Sequence, residues 1–170
     1  MAQASVATRI PCDPRDVARP QTVRMLTPGL DTLPKLALDN SRRLAAAVAI
    51  REKEFGIWQA HTWKDYVDHV RRIALGLASL GFRRGDKLAV IGDNRPPLYW
   101  TMVAAQALGG VPMPIYQDGI AAEMHYVIDH SESRMIICED QEQVDKILEM
   151  KDKLPLVEVK IGRASCRERV

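Results

Sequence analysis

Residues 87–118, KLAVIGDNRPPLYWTMVAAQALGGVPMPIYQD, decide the fold. Leu88 to Ile91 are apolar at successive positions, as a strand covered by helices on both faces requires. Gly92-Asp93-Asn94 breaks that strand. Pro96 and Pro97 suit a first helical turn, where a missing N–H costs little. Leu98 to Leu108 is apolar almost all round, which predicts a buried helix. Gly109-Gly110 ends it, and Val111 to Ile115 returns as a second strand. The unit is βαβ. Asp93 and Asn94 are expected to cap its helix. Pro112 and Pro114, two apart, lose N–H groups on the same side, so their strand can donate fully to one neighbour only.

The same rhythm continues downstream. A helix is expected over 121–130, with Met124, Val127 and Ile128 inward. Met135 to Cys138 is a further doubly buried strand. A helix over 142–153 follows, with Val144, Ile147, Leu148 and Lys151 on one side, and a fourth strand over 156–159. Strands alternating with helices imply an α/β fold with a mostly parallel sheet and βαβ crossovers.

Upstream, Asp31 or Thr32 can cap a helix reaching about Arg43, with Leu33, Ala37, Asn40 and Leu44 on one side. Residues 47–52 and 57–61 read as a β-hairpin. Thr62 stands three residues before Asp65, a capping-box spacing. From Trp63 to Leu80, Tyr66, Val70, Ile73, Leu77 and Leu80 recur at helical intervals. Residues 1–30 carry four prolines and little periodicity, and read as a disordered or extended leader.

Bulk properties exclude several classes. The 170 residues are 46% hydrophobic and 27% charged, a globular composition. No apolar run approaches the ~20 residues of a transmembrane helix. Three cysteines without CxxC spacing and four scattered histidines argue against a disulfide framework or a metal site. The reading is cytoplasmic, or peripheral at a membrane. The formal charge of +2 comes from the last ten residues, which hold three arginines and one glutamate. Without them 21 basic and 21 acidic residues balance, leaving no footprint for nucleic acid. That segment, IGRASCRERV, breaks the pattern and matches one reading frame of a common sequencing-adaptor oligonucleotide. Residues 161–170 are therefore expected to be a non-native tail, and residues 31–160 the front piece of a longer domain.

Few residues bear obvious chemistry. The loop after Leu88–Ile91 lacks G-x-G-x-x-G and the P-loop pattern, so it reads as a polar turn. Cys138 reads as a buried strand-end cysteine, and Glu139-Asp140 as the start of the next helix. The tryptophans and tyrosines read mostly as core. Trp100 and Tyr116, near the two ends of the βαβ unit, are kept as pocket candidates. No catalytic, cofactor-binding or metal-ligating residue is assigned.

Several motifs in order resemble adenylate-forming enzymes, the superfamily of acyl-CoA synthetases and peptide-synthetase adenylation domains. Thr62-Trp63-Lys64-Asp65-Tyr66 resembles the first core motif. Ala105 to Ile115, with Tyr116 and Asp118, resembles the second. Lys53 to Gln59 ahead of Thr62-Trp63 is similar to bacterial long-chain acyl-CoA synthetases. The resemblance covers roughly Leu33 to Lys160 and implies the incomplete N-terminal part of the adenylate-forming fold. It implies ATP, Mg²⁺ and coenzyme A as the whole enzyme's cofactors, and a fatty acid or other carboxylate as its substrate. It also implies a Thr/Ser/Gly-rich phosphate loop ending in Pro-Lys-Gly, which no residue of this sequence matches. The chain alone is thus expected to be inactive. The alternative is a flavodoxin-like or receiver-like regulatory module, which leaves the hairpin and long helix at 47–81 unexplained.

Overall fold

In the computed structural model, which describes residues 29–162, Lys87–Ile91 forms a central strand, β3. To reach it the chain passes through α1 (Leu33–Arg43), a hairpin of β1 (Val48–Glu54) and β2 (Ile57–Thr62), and α2 (Trp63–Ser79). Beyond it come α3 (Pro96–Ala107), β4 (Val111–Ile115), α4 (Ala121–His130), β5 (Met135–Cys138), α5 (Gln141–Glu149) and β6 (Val159–Gly162). The sheet is parallel, in the order β4-β3-β5-β6. The hairpin pairs antiparallel and forms its own two-stranded sheet.

Alternation along β3 divides the core in two. Leu88 and Val90 pack with Met135 against Val70, Leu77, Trp100 and Val103 of α2 and α3. Ala89 and Ile91 pack with Ile136 against Met124, Ile128 and Ile147 of α4 and α5. Each fully buried Leu, Ile or Met contributes roughly 1.5–3 kcal/mol. The hydrophobic effect therefore favours a strand apolar at every position, because helices cover both of its faces.

The α2 N-terminus is held as its spacing predicts. The Asp65 N–H donates to Thr62 Oγ1 at 3.2 Å, and the Thr62 N–H donates to Asp65 Oδ2 at 3.0 Å. At the end of α3, Gly109 adopts φ +77°, and a β-carbon on Gly110 would lie 2.4 Å from the Phe82 ring. The Gly109-Gly110 pair is thus both a helix stop and a site of close approach. Among the described strands β4 lies at the sheet edge, hydrogen-bonded to β3 alone. The Val111 N–H donates to Asp86 O at 2.9 Å, so Pro112 and Pro114 turn their missing donors outward.

Five expectations need correction. Asp93 and Asn94 do not cap α3; the N-cap is Arg95, with no side-chain bond. The two prolines leave few N–H groups to satisfy, and Leu98 donates to Arg95 O. The α5 helix stops at Glu149, a 3₁₀ turn takes Lys151–Lys153, and the inward stripe is Gln143, Ile147, Met150 and Leu154. Leu148 and Lys151 face solvent, because Ile147, Met150 and Leu154 are the residues packed on the sheet. The fourth strand begins at Val159, not Leu156; Pro155 and Leu156 are spent in a turn, and β6 runs past Lys160 to Gly162. Leu33 and Leu44 of the α1 stripe are exposed, and only Ala37 is buried. Trp58 and Tyr99 are exposed rather than core. The expected leader up to residue 28, and the tail from 163, lie outside the described residues.

Candidate functional site

The connection from β3 enters α3 on one face of the sheet, and that from β5 enters α5 on the other. The two loops therefore part at the C-terminal ends of adjacent strands, where open α/β sheets place ligands. The register Ile91↔Cys138 sets Gly92 beside Glu139. Glu139 Oε2 accepts the Asp93 N–H at 2.5 Å. Arg95 Nε lies 3.4 Å from Asp93 Oδ2 and 3.8 Å from Glu139 Oε1. Asn94 Oδ1 accepts the Tyr99 hydroxyl. Beneath them is a cavity of about 40 Å³ lined by Gly92, Pro97, Leu98, Thr101, Ile137 and Glu139.

This crevice does not fit a phosphate. The backbone N–H that would meet the anion already binds a carboxylate, and Asp93 adds a second negative charge. No group of three or more His, Cys, Asp or Glu placed to hold a metal ion occurs among the described residues. Asp140 is committed as the α5 cap, accepting the Gln143 N–H at 3.1 Å. Burial, and secondarily Asp140, push the Cys138 thiol up to about 12, so it is no nucleophile.

Two apolar grooves flank α1. One, of about 330 Å³, is lined by Leu33, Leu36, Trp63, Tyr66, Met102 and Gln106 among others. The other, of about 370 Å³, is lined by Leu38, Val67, Val70, Ala74, Leu75 and Leu108 among others. In the first, Gln106 Oε1 is buried without a hydrogen-bond partner. These are surfaces for apolar contact, with no acid–base pair to do chemistry.

Trp100 and Tyr116 line neither groove. Trp100 is buried, stacked on His69 at 4.0 Å and met edge-on by His61 at 5.1 Å. Burial, then Arg72 and His61, lower the His69 pKa. Tyr116 is exposed, and its bond to Asp118 raises its pKa. Sequence reasoning missed the meeting of His61 and His69, which stand on different elements. It also missed Glu139 beneath the β3 loop; only the strand register could have revealed that.

Comparisons with known proteins supply what the geometry does not. A family model described as AMP-binding enzyme matches residues 39–168. The Mycobacterium tuberculosis protein Rv1549, described as uncharacterized, is 41% identical over 101 residues, covering 59% of this chain and 56% of its own length. The long-chain-fatty-acid–CoA ligase ACSBG2 of Xenopus laevis is 29% identical over 154 residues, covering 91% of this chain and 20% of its own. Among solved structures, the N-terminal domain of FACL13 from Mycobacterium tuberculosis, inhibitor-bound, superposes with a TM-score of 0.69 at 22% identity, covering 76% of this chain and 32% of that one. The anthranilate CoA ligase AuaEII, in complex with anthranoyl-AMP, gives 0.70 at 17% identity, covering 76% and 24%. The chain therefore spans about half the length of Rv1549 and a fifth of that of the ligase.

Proposed function

The chain belongs to the AMP-binding enzyme family, and from that premise we propose that it is the front part of an ATP-dependent carboxylic acid–CoA ligase. In the reaction proposed, a carboxylate displaces pyrophosphate from ATP to give an acyl-adenylate. The thiol of coenzyme A then displaces AMP to give the thioester. A long-chain fatty acid is the proposed substrate, supported by the similarity to ACSBG2 across 91% of this chain. ATP, Mg²⁺ and coenzyme A are assigned to the whole enzyme. No step is routed through residues 29–162, because Glu139 closes the one strand-end turn considered for phosphate.

The observation that carries this reading is the family match over 39–168, which takes in the hairpin, the capped α2 and the whole four-stranded sheet. Nothing in the fold favours the flavodoxin-like or receiver-like alternative. On this reading residues 31–160 scaffold the first α/β layer. No helix among the described residues is long and apolar enough to cross a membrane. We place the enzyme in the cytoplasm or at a membrane surface.

The test is to read the source DNA past the Lys160 codon and assay both products. The longer protein should show fatty-acid-dependent ATP–pyrophosphate exchange, and the 170-residue chain none. Exchange by the short chain would overturn its inactivity. A longer protein inert toward a panel of carboxylic acids would sink the ligase assignment.

A further inference from the structure

The hairpin tip breaks a local rule. Phe55 and Gly56, its two central residues, both have positive φ, +48° and +82°. Turns of that kind favour Asn-Gly or Gly-Gly, whereas Phe is a poor occupant of the left-handed region. Phe55 is moreover 96% exposed, so no packing within the described residues offsets that strain. Ile57 and Trp58 beside it are 65% and 67% exposed. Three large apolar side chains thus project from a convex tip.

Charge is sorted across the same hairpin. The register pairs Lys53 with Trp58 and Arg51 with Ala60, placing Arg51, Lys53 and Trp58 on one face. The carboxylates of Glu52 and Glu54 take the opposite face. The base of that face turns toward the body of the protein, where His61 lies 3.4 Å from Glu52 and packs on Trp100, while Glu54 and Ile57 at its tip stay exposed. The outer face therefore carries two cations and an indole, with a phenyl ring at its end.

From this juxtaposition we propose that the Phe55 tip and the Arg51–Lys53–Trp58 face form a docking surface for an anionic lipid layer. Indole and phenyl rings settle at the headgroup level, and cations beside them meet lipid phosphates. A convex apolar wedge above a basic face matches that layered environment. The proposal stands apart from the ligase reading and does not require it.

Flotation of the full chain with vesicles tests it, since bound protein rises while aggregates stay at the bottom. The chain should float with vesicles of phosphatidylcholine plus phosphatidylglycerol, less so as salt rises, and hardly at all with phosphatidylcholine alone. Each cation is worth roughly fivefold at such a surface, so Arg51→Glu with Lys53→Glu should weaken binding by roughly 25-fold or more. Phe55→Ser with Trp58→Ser should also abolish flotation, while Leu148→Ser, exposed on α5, should not. The proposal is overturned if the chain fails to float, floats equally on neutral vesicles, or floats despite the tip substitutions. Tip-dependent binding to polyglutamate without flotation would overturn it too, reassigning the surface to an acidic protein.

Discussion

Glu139 reaches across from the end of β5 to accept the backbone N–H of Asp93 at 2.5 Å, stitching the loops of two adjacent strands together. The stitch passes over Gly92, where an added β-carbon would lie 2.6 Å from Glu139 Oε2. Gly92→Ala should therefore displace the carboxylate and cost at least the hydrogen bond, about 1 kcal/mol or more. In a Glu139→Ala background the same substitution should cost much less. A double-mutant cycle by urea unfolding reads the coupling directly. Strict additivity would show that Gly92 and Glu139 act independently.

The capping box makes a pH-dependent prediction. Thr62→Ala should cost about 1 kcal/mol at neutral pH, as N-cap losses typically do. The Thr62 hydroxyl, then its N–H, hold the Asp65 carboxyl below its ordinary value of 3.8. A lowered carboxyl pKa contributes stability above the unfolded value and loses it as pH falls through the folded one. The gap between wild type and Thr62→Ala should accordingly stay constant from pH 7 to about 5 and narrow below pH 4. Acid titration of both proteins by circular dichroism measures it; a gap that widens in acid would contradict the assignment.

How far the sequence reveals the fold depends on whether the information is local. The run Leu88–Ile91, the Thr62–Asp65 spacing and the Gly109-Gly110 stop each act through neighbours along the chain, and each appears in the structure as read. The Pro112/Pro114 pair even reveals which strand is an edge. Features set by tertiary register were not legible. The inward stripe of α5 is Gln143, Ile147, Met150 and Leu154 rather than Val144, Ile147, Leu148 and Lys151, because packing against the sheet, not the local pattern, decides which face is covered. The strand expected at Leu156 slips to Val159 because Arg134 draws in the Glu158 N–H and pairs with its carboxylate at 2.7 Å. The candidate site suffers most. Glu139 matters only because β5 lies beside β3, and Trp100 meets two histidines from β2 and α2. The resemblance to a family came from motif order, and motif order carries no register.

Cys138 should be chemically silent while the fold persists. Burial, with Asp140 behind it, lifts the thiol from 9.0 to about 12. Treating the native chain with iodoacetamide at pH 8 and mapping peptides should leave Cys138 unmodified, whereas prior unfolding in urea should expose it fully. The linked stability is present below pH 9 and is lost as pH rises toward 12, because the unfolded thiol ionises first. Cys138→Ala should flatten that alkaline loss. Rapid native alkylation at Cys138 would show that the end of β5 opens readily.

The edge chemistry of β4 supplies the last test. Its inward donors pair with β3, while Pro112 and Pro114 leave the outer side without two N–H groups. A strand that cannot donate is a poor template for a second chain, so the prolines protect that edge. Pro112→Val with Pro114→Val restores both donors and adds β-branched side chains, leaving the inward ladder intact. The variant should keep its circular dichroism spectrum yet self-associate faster, seen as earlier light scattering at equal concentration. Its scattering should be suppressed by adding Val111→Lys, because a charge on an exposed edge strand opposes pairing; Val111 is itself exposed at that edge. Equal association by the wild type and the double variant would mean that chains meet elsewhere. The sheet's other boundary, β6, pairs with β5 alone among the described strands and would then be the edge to modify.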